Sequence, residues 1–335
     1  MKNYKKWIIG ILVLAALLLG CMGISGYLQQ KNPKEWSLIY IPKVVDGTND
    51  FWTSLIAGAR TAADEYNASL EVTAPDQEMD VQRQNELLEE AIAKRPDAIL
   101  ISPSSFTESE EYLKRAKKKG IRIVYIDSYT EVPLQDLTVA TDNLEAGRIL
   151  GEYAAELIGE KEGKIAIVAH VQGVSTALER EKGFREGLGD LRQNVAEVVY
   201  CDSQYEKAYE LTKQLMEKYP DLVMIAGMNE YSFVGAARAV RDEKAQDRIA
   251  LVGIDSSQEA VELMEEGIIK GVVVQKAFKM GYLGVSESIR MLSGQEVETN
   301  IDSGCELVTP ENMYDSEIEK LIFPFNSSRK ETEMS

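Results

Sequence analysis

From residue 34 onward, short β-branched and apolar runs alternate with longer amphipathic stretches, and this alternation leaves few architectures open. The runs are SLIYI (37–41), SLEVTA (69–74), DAILIS (97–102), RIVYID (122–127), LTVAT (137–141), KIAIVA (164–169), AEVVY (196–200), LVMIAG (222–227), IALVGID (249–255) and IIKGVVVQ (268–275). Segments of helical period, such as 51–66, 81–94, 108–119, 144–158 and 205–218, lie between most of them. Continuous apolar strands separated by helices are those of a parallel sheet covered on both faces. About ten such strands overfill one open sheet, so the pattern predicts two doubly wound α/β lobes.

A different segment precedes them. Residues 7–28 (WIIGILVLAALLLGCMGISGYL) carry no charge and follow Lys2, Lys5 and Lys6. About 20 apolar residues suffice to cross a bilayer, and basic flanks stay cytoplasmic. Residues 1–28 are therefore expected to be a signal or membrane anchor that leaves the rest extracytoplasmic, at the outer face of the cell membrane. Leu18-Leu19-Gly20-Cys21 resembles a bacterial lipobox, which makes Cys21 a lipidation candidate. The apolar run continues through Met22, Ile24 and Leu28, as an uncleaved anchor would, and both readings stay open.

Charge narrows the partners. The chain has 37 Lys and Arg against 55 Asp and Glu, a net charge of −18. The first 28 residues hold three of the cations and no acid, which leaves −21 on the remainder. Nucleic acid is not expected as a partner, because phosphate binding needs basic surfaces. The single His, His170, disfavours a zinc site and leaves a Ser-His-Asp triad dependent on one residue. Cys201 and Cys305 form an even pair whose spacing does not decide whether they are bonded.

Enzyme motifs are missing. No G-x-G-x-x-G follows the first strand, and the glycine-rich stretch 159–164 precedes a strand rather than a helix. Gly173-Val174-Ser175-Thr176-Ala177 lacks the second glycine of a nucleophile elbow. His170 has no oriented nucleophile near it in sequence and is read first as a surface or cleft-rim residue, second as a ligand contact. The chain is not expected to be an enzyme, and neither a metal nor a cofactor is expected.

In doubly wound folds ligands sit outside the carboxyl ends of the strands. There the chain places Asn49, Phe51, Trp52, Asp127, Ser128, Arg180, Asn229, Asp255 and Gln275. Planar amides, carboxylates and a guanidinium can bind neighbouring hydroxyls in pairs, and an aromatic face can pack on the C–H face of a sugar ring. This chemistry fits a neutral, hydroxyl-rich ligand.

At these residues the sequence resembles the type I periplasmic binding proteins, in their ribose-type sugar-binding branch, from about residue 37 to 309. Thr48-Asn49-Asp50-Phe51-Trp52 is similar to the family's Asn-Asn-Pro-Phe-Phe loop. Asp127 falls on its hydroxyl-binding Asp, and the segment from Ser175 to Phe184 resembles its Ser-Ala-x-x-Arg-x-x-Gly-Phe helix start, with Arg180 on the arginine. Asn229-Glu230, Val252-Gly253-Ile254-Asp255 and Gln275 follow in family order. Departures are visible too. Ser128 stands where ribose binders have Arg, Lys43 is a candidate replacement cation, and Ser203 replaces an aromatic. Tyr205 and Tyr231 are then candidates for the second aromatic wall, with His170 as a further possible contact. Asp142 and Asn143 read as hinge and N-cap residues.

The resemblance implies two lobes joined by three crossings, near 141–142, 275–276 and 301–303. Residues 37–141 with 276–301 would form the N-terminal lobe, residues 142–275 with 302–325 the C-terminal lobe, and 326–335 a disordered tail. It implies a monosaccharide ligand, hinge closure, and delivery to an ABC permease as a solute-binding component. The alternative is a membrane-anchored sugar sensor that signals to the ectodomain of a histidine kinase.

Overall fold

The computed structural model describes residues 35–323. The expected anchor 1–28, with Cys21, and the expected tail 326–335 lie outside the described residues. Among the described residues no helix is long and apolar enough to cross a membrane.

In chain order the first half contains β1 (Ser37–Ile41), α1 (Asp50–Glu65), β2 (Ser69–Val72), α2 (Val81–Lys94), β3 (Ala98–Ile101), α3 (Glu110–Lys118), β4 (Arg122–Ile126), β5 (Leu137–Ala140) and α4 (Asn143–Ile158). There follow β6 (Lys164–Ala169), α5 (Ser175–Gly187), β7 (Val195–Tyr200), α6 (Tyr205–Lys218), β8 (Leu222–Gly227), α7 (Glu230–Asp242), β9 (Ala250–Ile254) and α8 (Gln258–Glu265). The last elements are β10 (Ile269–Gln275), α9 (Ala277–Leu292), β11 (Asn300–Asp302), β12 (Cys305–Val308) and α10 (Ser316–Ile322).

Two six-stranded sheets result, ordered β11-β5-β4-β3-β1-β2 and β12-β10-β9-β8-β6-β7. Every described pairing is parallel except β10 with β12. The two orders are equivalent strand for strand. Each sheet reverses its winding beside its first strand, where doubly wound folds open a crevice at the carboxyl ends.

The chain passes between the sheets three times. It leaves the first sheet after Ala140, returns between Gln275 and Ala277, and crosses again between Asp302 and Cys305. The first and third crossings are tied together by Thr141 Oγ1 with Ser303 Oγ at 3.1 Å and by Asp142 N donating to Asp302 Oδ1 at 3.1 Å. The strands β11 and β12 lie beyond the ten apolar runs. They are three and four residues long and exposed or half-exposed at every position but Val308, so no hydrophobic run marks them.

Helix α1 positions half of the cleft. Asn49 has extended backbone and its Oδ1 accepts from Trp52 N at 3.0 Å, an N-cap that starts the helix on the aromatic pair. The helix lies directly on α9. A Cβ on Gly281 would sit 1.9 Å from the Leu55 carbonyl oxygen, and one on Gly58 2.0 Å from that of Phe278, so only glycines permit this approach. Helix α9 thereby belongs to the first lobe although it follows the last long strand of the second.

Cys201 and Cys305 are unbonded. Cys201 packs in the core of the second lobe and Cys305 starts β12. Burial lifts the Cys201 thiol up to about 12 and the Cys305 thiol to about 11, which disfavours the thiolate in both.

Candidate functional site

The carboxyl ends of the two sheets face each other across a small polar cavity of about 20 Å³. The first lobe contributes Lys43, Asn49, Phe51, Trp52, Glu78 and Asp127. The second contributes His170, Thr176, Arg180, Asn229, Tyr231, Asp255 and Gln275. A larger groove of about 550 Å³ lies on the hinge side, lined by the start of α9 and by residues 317–323. The convergent buried polar groups lie in the small cavity, which is the candidate site.

On the first lobe, Lys43 Nζ pairs with Asp127 Oδ2 at 2.7 Å, both side chains under 5% exposed. The same ammonium lies 5.9 Å from the Trp52 ring centroid, within cation–π reach. Phe51 and Trp52 pack edge to face with centroids 5.0 Å apart. Asp127 has left-handed backbone, φ 70°, which turns its carboxylate off the strand end.

On the second lobe, Asp255 has φ 90°. Its Oδ1 accepts from Gln275 Nε2 at 2.6 Å and its Oδ2 from Glu230 N at 3.0 Å. Burial pushes the Asp255 carboxyl above its usual range, opposed by the Arg180 charge and these donors. Arg180 donates from Nε to Asn143 Oδ1 at 2.7 Å and from Nη1 to the Met228 carbonyl at 2.8 Å. It is 3% exposed, so the surrounding Glu179, Glu181 and Lys182 do not make it part of a solvated face.

His170 corrects the cleft-rim expectation. It is 2% exposed, with Nε2 at 2.8 Å from Thr176 Oγ1. Burial first, then the Arg180 and Lys43 charges, push its pKa well below the ordinary imidazole value, so the ring is neutral. Among the described residues its Nδ1 and the Oε1 of Gln275 have no hydrogen-bond partner. Buried polar atoms are nearly always bonded, so two such atoms on one cavity wall mark unused bonding capacity.

Two further candidates stand behind the wall. Ser128 donates to the Pro103 carbonyl at 3.0 Å and does not line the cavity, because the turn after Asp127 points it away. Tyr205 packs behind Tyr231, with centroids 4.7 Å apart, and donates to Glu230 Oε1 at 2.8 Å. Asn229 lines the cavity while its Oδ1 caps α7 through Ser232 N at 3.0 Å. Asp142 caps α4 through Glu145 N at 2.9 Å, and Asn143 holds Arg180. Glu78 and Thr176 line the cavity without having been singled out. Thr176 follows the Ser175 helix start, whereas Glu78 sits in an acidic loop that gives it no distinguishing pattern.

The lobes are closed on one another. Glu230 Oε2, on α7, accepts from the Asp50 and Phe51 amides of α1 at 3.0 and 3.2 Å, and Asp50 Oδ2 accepts from Gln258 N of α8 at 3.0 Å. Each lobe thus supplies a carboxylate to a helix N-terminus of the other, where the helix dipole favours negative charge. Tyr231 OH donates to Asp46 Oδ2 at 2.7 Å. At the opposite edge, Phe106 N donates to the Gly173 carbonyl at 3.0 Å, Tyr129 N to Ser175 Oγ at 3.1 Å, and Tyr129 OH to Glu179. Among the described residues no His, Cys, Asp and Glu group could hold a metal ion.

A family model for the periplasmic binding protein domain matches residues 41–296. The ribose import binding protein of Haemophilus influenzae is 26% identical over 253 residues, covering 76% of this chain and 85% of that protein. A sugar transporter from Clostridium phytofermentans has a solved structure that is 43% identical, with TM-score 0.78, covering 82% of this chain and 99% of that one. A carbohydrate transporter solute binding protein from Agrobacterium radiobacter, solved with D-arabinose, is 30% identical with TM-score 0.82, covering 87% of this chain and all of that one. With this coverage, and with two parallel-sheet lobes joined by three crossings, the chain belongs to the periplasmic binding proteins of type I, in their ribose-type branch.

Proposed function

We propose that the chain binds a neutral monosaccharide between its lobes and serves as the solute-binding component of an ABC sugar importer. The observation that carries this reading is the buried cavity into which both lobes direct polar side chains beside the Phe51 and Trp52 pair. The closed cavity has room for about one water, so the lobes would part to admit a sugar ring, which would pack on these aromatics with Asn49, Lys43 and Asp127 on one side of its hydroxyls and Arg180, Asn229, Asp255 and Gln275 on the other. His170 Nδ1 and Gln275 Oε1 would take hydroxyl partners, and Tyr231 would bound the cavity. Ser128 and Tyr205 support this wall from behind. Of the proteins named above, one is a ribose import binding protein and one was solved with D-arabinose, which favours a pentose or a similar sugar. Groups from both lobes touch one ligand, so binding favours the closed state by their differential contacts. The N-terminal apolar segment would hold the protein on the outer face of the membrane, near its permease.

Thermal unfolding of the purified chain with a pentose and hexose panel tests the reading. A sugar present at 100 times its Kd should stabilise the fold by about 2.7 kcal/mol. A panel without effect at millimolar concentrations would remove the carbohydrate assignment.

A further inference from the structure

Glu78 lies in the loop between β2 and α2, 5% exposed and on the cavity wall. Both of its carboxylate oxygens are engaged. Oε1 accepts from the indole Nε1 of Trp52 at 2.5 Å, and Oε2 accepts from Ser203 Oγ at 2.5 Å. Trp52 belongs to the first lobe and Ser203 to the second, so one side chain links the aromatic wall to the opposite side of the cleft. Ser203 is presented by two consecutive left-handed residues, Asp202 at φ 53° and Ser203 at φ 55°, and its Oγ lies 3.4 Å from Asn229 Nδ2.

Among the described residues Glu78 forms no ion pair. Burial raises its carboxyl above the usual range, opposed at longer range by Lys43, whose ammonium is bound to Asp127. Taking a carboxylate out of water is costly unless its bonds are strong, and the two bonds here are charge-assisted. The Trp52 bond lies within one lobe, whereas the Ser203 bond joins the two.

We propose that Glu78 is a positioning residue for ligand capture: it fixes the Trp52 indole as the stacking wall and, through Ser203, ties that orientation to lobe closure. The inference rests on the cleft being a monosaccharide site. It assigns Glu78 mainly to the rate of release, since opening must break the Ser203 bond while the encounter with the open cleft does not need it.

Stopped-flow tryptophan fluorescence of the full chain, with a sugar that stabilises the wild type, tests it through three variants. Glu78→Ala should raise koff roughly tenfold to a hundredfold, as expected for loss of bonds to a charged group, with a smaller change in kon. It should also shift the Trp emission of the sugar-free protein. Ser203→Ala should raise koff about tenfold and leave that emission as in the wild type. Glu78→Gln keeps one acceptor oxygen and should fall between wild type and Glu78→Ala. A wild-type koff in both alanine variants overturns the inference alone, and should Glu78→Ala not fold, an unchanged koff in Ser203→Ala overturns it. A wild-type protein that binds no sugar overturns the cleft reading and this inference together.

Discussion

The two lobes share one strand order, and in each an aspartate in left-handed conformation directly follows the lobe's fourth strand in chain order, Asp127 after β4 and Asp255 after β9. Asp127 N donates to the Val139 carbonyl at 3.0 Å and Asp255 N to the Val273 carbonyl at 2.9 Å, the same bond to the neighbouring strand. From there the lobes diverge. Asp127 is neutralised by a lysine across the same lobe. Asp255 is held by an amide and a backbone N–H, while the arginine of its lobe is committed to Asn143 and the Met228 carbonyl. One fold can thus place a buried carboxylate in a cleft by pairing its charge or by surrounding it with donors.

The first way to break this comparison is Lys43→Met. It leaves the Asp127 charge buried and uncompensated, and should lower the unfolding free energy by about 3 kcal/mol in urea titration. Adding Asp127→Asn should restore most of that loss, because both charges are then gone. A double variant as unstable as the single one would show that the pair is not the unit.

Arg180→Met should cost less, about 2 kcal/mol, by stranding Asn143 Oδ1 and the Met228 carbonyl. Here no second substitution should rescue fully, since one partner is backbone. Complete recovery on adding Asn143→Leu would mean that the guanidinium serves a single group and that the second lobe resembles the first after all.

The smallest effect at neutral pH concerns His170 and sharpens the comparison as pH is lowered. The folded protein holds this ring neutral at a pH where the unfolded chain, with its value near 6.5, protonates it. Stability is therefore lost as pH falls below about 6.5, with a slope of up to about 1.4 kcal/mol per pH unit, until the lower native value is passed. Asp255 and Glu230, raised by burial, act with the opposite sign because the folded state takes up their protons first. Subtracting the pH profile of His170→Gln from that of the wild type isolates the histidine. Parallel profiles would place its protonation outside the folding equilibrium.

Which parts of this were legible beforehand follows from the range of the signal. Strands buried on both faces, such as KIAIVA at 164–169, declare themselves by composition alone. Asp127, Asp255 and Gln275 stand where each strand ends, so their position in the cleft follows from local pattern once the fold class is known. Ser128 is the next residue after Asp127, yet the left-handed turn sends it to Pro103, which no residue type discloses. Glu78 looks like any surface acid among Asp76 and Asp80 until Trp52 and Ser203 converge on it. The short strands β11 and β12 owe their pairing to edges already formed by other strands.

By itself the sequence determined two α/β lobes, their order along the chain, and a cleft lined by amides, carboxylates, an arginine and an aromatic pair. These follow from periodicity and from what lies at strand ends, both local properties. Only the tertiary structure decided that Lys43 neutralises Asp127, that His170 is buried rather than exposed, that Glu230 caps the opposite lobe's helix, and that Glu78 joins the two walls. The bonds of Lys43, Glu230 and Glu78 join residues 26 to 180 positions apart, and burial, not residue type, sets the chemistry of all four.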